Sequence, residues 1–71
     1  MSTETIRKIG KILRDIRLQK GMTQIEVAKK AGMGTNRYAI IERGDAKNMT
    51  MNTFEKVVKA LGVKSKDILP Y

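Results

Sequence analysis

The stretch Met22-Thr23-Gln24-Ile25-Glu26-Val27, with the glycine pair that follows at Gly32 and Gly34, constrains this chain more than any other part. Thr23 is placed to cap the free N–H groups of a helix's first turn. Glu26, three residues on, is placed to accept from the Thr23 N–H in return. Met22 before the cap and Val27 inside it form an apolar pair that sets the angle at which the chain enters the helix. The helix is short, because Ala31-Gly32 ends it. A second helix begins at Gly34 or Thr35 and ends at Arg43-Gly44, which leaves Gly32-Met33-Gly34 as a tight turn. Residues 23–44 are thus two short helices about a glycine turn, and the flanks are scaffold that aims the second of them.

The flanks read as helices too. From about Glu4 to Lys20, Ile6, Ile9, Leu13 and Ile16 recur at spacings of three and four and so share one face. Arg7, Lys8, Lys11 and Arg14 take the solvated side. Gly10 inside the run costs about 1 kcal/mol against alanine, so it implies close packing. Gly21 stands where the helix needs a left-handed residue at its end. Further on, Thr50 is a cap, Met49 and Phe54 are a second staple, and Phe54, Val57, Val58 and Leu61 are a core face that stops at Gly62. Ser65 is expected to cap a last short turn, Lys66 to Leu69, halted by Pro70. The expectation is an all-α fold of five helices, with no strand and no repeat.

Composition narrows what such a bundle can do. A domain of 71 residues buries only about 60% of its unfolded surface, so its core is thin. Without cysteine or histidine there are no disulfides, no thiolate or imidazole metal ligands and no His-based triad. The acidic residues are few and scattered, so an enzyme, a metal site and a cofactor are not expected. The chain carries 15 Lys+Arg against 7 Asp+Glu, a net charge of +8, which suits a polyanion: nucleic acid or an anionic membrane surface. Capping boxes and glycine punctuation favour a globule over a surface-lying amphipathic helix. No apolar run nears the ~18 residues of a membrane span, and a soluble, cytoplasmic protein is expected.

The helix over residues 35–43 divides by its wheel, at about 100° per residue. Tyr38, Ile41 and Glu42 fall on one side. Asn36, Ala39, Ile40 and Arg43 fall on the other, with Thr35 and Arg37 on the flanks. An amide, small apolar groups and an arginine suit a DNA major groove, where an amide can pair with adenine and aliphatic groups can touch thymine methyls. Thr35 and Asn36, at the helix start, are the foremost base readers, followed by Ala39 and Ile40. Thr35 also competes for the N-cap, and Ile40 for a half-buried core place. Gln24, Arg37, Arg43, Lys47 and Asn48 are placed for phosphates.

The segments T-Q-I-E-V-A-K-K-A-G and Y-A-I-I-E-R-G, with Ile16-Arg17 and V-V-K-A-L-G-V at residues 57–63, resemble the XRE family of helix-turn-helix phage repressors, Cro proteins and restriction–modification controllers. The resemblance implies a compact, five-helix, lambda-repressor-like DNA-binding domain. It implies that Gln24 is a phosphate contact, and in some members a base contact, and that Thr35, Asn36 and Ile40 read bases. It further implies an ion pair between Arg17 and Glu42, which accounts for a carboxylate on the inner side of the helix. Gly34 departs from the family's usual Ser or Thr cap, and Ile40 stands where a polar reader is common.

A monomer of this size reads roughly four or five base pairs, so a homodimer on a palindromic operator is expected, with recognition helices about 34 Å apart. The expected domain is the whole of 1–71, with a dimerisation region at about 50–71 in which Val63, Ile68, Leu69 and Tyr71 supply the apolar groups. The expected partner is double-stranded DNA, with no small-molecule ligand. The competing function is a protein-interaction module, such as an antitoxin or adaptor, with DNA binding secondary.

Overall fold

A computed structural model describes residues 2–47 and 49–68. Four α-helices occupy them: α1 Thr3–Gln19, α2 Gln24–Ala31, α3 Thr35–Arg43 and α4 Met51–Leu61. A single 3-10 turn, Ser65–Asp67, follows. The expected fifth helix is therefore not an α-helix among the described residues. Its span is too short for the ladder of i to i−4 bonds that sustains one, and only the tighter turn forms. Leu69, to which that helix was expected to run, lies outside the described residues.

Local chemistry explains the helix starts. The Thr23 hydroxyl accepts from the Glu26 N–H at 3.1 Å, and the Thr23 N–H donates to Glu26 Oε1 at 3.2 Å, so the capping box is complete. Thr50 accepts from the Thr53 N–H. Ser2 accepts from the Thr5 N–H and caps α1, which begins at Thr3, one residue before the expected start near Glu4. Each such cap stabilises its helix by about 1 kcal/mol. Gly32 takes φ +72 at the end of α2, a left-handed conformation that turns the chain into α3 without a Cβ penalty.

The helices enclose one apolar core. Ile6, Ile9 and Leu13 come from α1, Val27, Ala28 and Ala31 from α2, Tyr38 and Ile41 from α3, and Phe54, Val57, Val58 and Leu61 from α4. Met49 and Ile68 close it. Two helices are central: α2 packs against α3 and α4, and α3 packs against α1 and α2. At the α1–α3 crossing, a Cβ on Gly10 would stand 2.8 Å from the Glu42 carbonyl oxygen and closer still to that of Ile41. Backbone meets backbone there, and only glycine leaves room.

The burial of Ile68 corrects the dimer surface expected above. Ile68 is 2% exposed and belongs to the core of its own chain, because the 3-10 turn folds back onto α4. Val63 is half-buried against the same core. Leu69 and Tyr71 lie outside the described residues.

Candidate nucleic-acid interface

The inner side of α3 is anchored. Tyr38 and Ile41 are buried, and Glu42 is 7% exposed. Arg17, from α1, donates to both oxygens of the Glu42 carboxylate, from Nε to Oε2 at 2.6 Å and from Nη2 to Oε1 at 3.2 Å. Its third donor, Nη1, reaches the Met22 carbonyl at 2.8 Å, in the α1–α2 connection. Gln24, the first residue of α2, donates its amide N–H to Glu42 Oε1 at 3.1 Å. One carboxylate thus ties together the end of α1, the start of α2 and the end of α3. Burial would raise the Glu42 pKa, but the hydrogen bonds from Arg17 and Gln24 outweigh it and hold the acid below its ordinary value. Burial first, and then the neighbouring Glu42 carboxylate, push the Tyr38 phenol far above its ordinary range. The Tyr38 hydroxyl is buried and makes no hydrogen bond among the described residues.

With that side fixed, α3 turns Asn36, Arg37, Ile40 and Arg43 to solvent, with Thr35 and Ala39 half-buried. Gly34 is the N-cap and supplies no side-chain bond, so Thr35 is the first helical residue and does not cap. Lys47 is exposed in the loop after α3, and Asn48 lies outside the described residues.

Two recesses flank α3. One, of about 340 Å³, is lined by Arg14, Arg17, Gln24, Glu42 and Arg43. The other, of about 180 Å³, is lined by Arg37, Ile40, Ile41, Ala46, Lys47, Met49 and Thr53. The structure therefore gathers Gln24 and Arg43 on one flank and Arg37 and Lys47 on the other. Arg14 joins the first group, although its helix position reads as plain solvated surface. The missed signal was its spacing: Arg14 lies three residues before Arg17, hence on the same side of α1. Arg43 pairs with Asp45 at 3.6 Å, both well exposed, a contact too weak to hold the arginine from a stronger anion. The amide of Gln24 is already half committed to Glu42, so its second N–H and the N-terminus of α2 are what remain for a phosphate.

The arrangement is a cation-flanked helix tied down on its inner side, a form suited to a groove. Among the described residues there is no acidic cluster fit for a metal ion, and no helix is long and apolar enough to cross a membrane.

Comparison with known proteins agrees with this geometry. The chain belongs to the helix-turn-helix family, whose model matches residues 13–68. It is 38% identical over 71 residues to the control protein C.BamHI of Bacillus amyloliquefaciens, covering 97% of this chain and 86% of that one. It is 36% identical over 56 residues to the immunity repressor protein of Bacillus phage phi105, covering 79% of this chain but only 38% of that longer one. The restriction-modification controller protein C.Esp1396I, solved as a tetramer in complex with its natural 35 base-pair operator, superimposes with a TM-score of 0.83 at 31% identity, over 90% of this chain and 83% of that one.

Proposed function

We propose that this protein is a sequence-specific DNA-binding transcription regulator, a repressor or dual repressor–activator, and that α3 is its recognition helix. The observation that carries the reading is the anchoring of α3. The Arg17–Glu42–Gln24 network clamps its inner side and leaves Asn36, Ile40 and Arg43 outward between two cationic flanks. Its likeness to a control protein, a phage repressor and an operator-bound controller supports the same reading. In this reading Thr35, Asn36, Ala39 and Ile40 meet base edges, and Gln24, Arg37, Arg43, Lys47 and Asn48 meet phosphates. Arg14 is added to the phosphate set.

The whole of 1–71 serves as one DNA-binding domain, acting in the cytoplasm as a homodimer on a palindromic operator. The molecule measures 27 × 23 × 19 Å, so two copies side by side can hold their recognition helices about 34 Å apart, one turn of DNA. The dimer surface is placed in the C-terminal third, at about 50–71. Of the apolar residues assigned to it, half-buried Val63 keeps part of its surface for a partner, and Ile68 is excluded by its burial.

Repeated selection from random duplexes tests this. Enrichment of a palindrome with A·T pairs opposite Asn36 is expected. Asn36→Ala should then relax preference at one or two positions per half-site, at about 1–3 kcal/mol, whereas Arg43→Ala should weaken all sequences alike. Salt-sensitive binding with no enriched sequence would overturn the reading.

A further inference from the structure

Ile40 does not fit the rest of the outward face of α3. The other exposed side chains there, Asn36, Arg37 and Arg43, all end in polar groups, while Ile40 leaves 37% of an aliphatic surface in water. The core does not need it, since Tyr38 and Ile41 already fill the inner side. Ile40 stands at the small recess whose lining is apolar in Ile41 and Met49, both buried, and in half-buried Ala46. Arg37 and Lys47 line the same recess, and neither pairs with an acid among the described residues. The pattern is an apolar spot bracketed by two cations.

Duplex DNA carries the complement of that pattern at one kind of place. The C5 position of a pyrimidine lies at the major-groove edge, beside the phosphates of its own strand. A methyl group there is an apolar point among anions. An isoleucine has neither donor nor acceptor. It cannot tell the O4 of thymine from the N4 amino group of cytosine, and it responds only to the methyl group. Resting on the regulator reading above, we infer that Ile40 sorts pyrimidines by their C5 substituent rather than by base identity. Thymine and 5-methylcytosine are accepted alike at this position, and uracil and unmodified cytosine are both disfavoured. An operator that carries cytosine at that place in a half-site then binds more tightly once the cytosine is methylated at C5.

The test uses the full chain and its selected operator at fixed salt. Each thymine is replaced in turn by deoxyuridine, which removes only the methyl group. One position per half-site should lose about three- to fivefold in affinity, the effect of one buried methyl group. At that position a 5-methylcytosine·guanine pair should bind more tightly than cytosine·guanine by a similar factor. Ile40→Ala, at a half-exposed site that leaves the core intact, should bind the thymine and deoxyuridine duplexes equally. A uniform deoxyuridine scan on an enriched operator overturns this assignment alone, as does an Ile40→Ala protein that still discriminates. A duplex pool with no enriched sequence overturns it together with the reading it rests on.

Discussion

Glu42 is the residue on which the aim of α3 depends. Its side chain is 3% exposed and that of Arg17 11%, so the pair is largely out of water. Removing one partner strands the other, and Glu42→Ala should cost about 3 kcal/mol of stability. The pair also makes stability depend on pH. The folded-state pKa of Glu42 lies below its ordinary value of 4.5. The unfolded chain therefore binds the proton more readily, and the stabilisation present at neutral pH is lost as pH falls below 4.5 through the folded value. Urea midpoints measured from neutral to acid pH should fall less steeply for Glu42→Gln than for the native protein. Equal slopes would mean that the clamp contributes nothing through its charge. Periodicity alone puts Glu42 on the inner side of α3 but names no partner; Arg17 follows from the family resemblance, and the bond from Gln24 has no signal in the local pattern.

Among the elements, the glycines separate by what surrounds them. In α1 an alanine at position 10 would gain about 1 kcal/mol of helix propensity. It would also drive its methyl group into the Glu42 carbonyl oxygen at 2.8 Å and force α3 away. Backbone cannot yield as a side chain can, so the clash should win, and Gly10→Ala should destabilise by about 2 kcal/mol. Gly34 is the opposite case. It sits at φ −71 with no neighbour within 4 Å of an added Cβ and gives α3 no side-chain cap. Gly34→Ser should therefore stabilise by about 0.5 kcal/mol. Thermal melts of the two variants should move in opposite directions. At Gly44 both reasons for glycine combine, with φ +78 and the Arg7 Cα 2.8 Å from where a Cβ would stand. Close packing at Gly10 was legible as a glycine inside a helical run; the identity of the backbone it meets was not.

For the whole molecule, net charge and useful charge differ. The flanks of α3 gather Arg14, Arg37, Arg43 and Lys47. Much of the remaining positive charge lies elsewhere: Lys30, Lys56 and Lys59 line a separate recess between α2 and α4. In the proposed reading those lysines add only long-range attraction, and the close phosphate contacts come from the α3 flanks. With about four such cations per protomer, operator binding by a dimer should fall with log salt at a slope near −7. Arg37→Ala should make that slope shallower by about 2, and Lys30→Ala should leave it unchanged. Anisotropy titrations across a salt series distinguish the two; a slope that moves equally with either would erase the division between the faces.

Four of the five expected helices, most of their caps and the buried side of each were legible in the residues alone. Those signals are short-range: a cap spans four residues, and a helical face repeats within two turns. Thr23 with Glu26, and Tyr38 with Ile41, carry their instructions locally. What depends on which helix meets which came from packing. It took Ile68 from the surface into the core, placed Arg14 beside Gln24 and Arg43, and set Gly10 against the α3 backbone. Each of these rests on contacts between separate elements, and no local pattern encodes the distance between two helices before they pack.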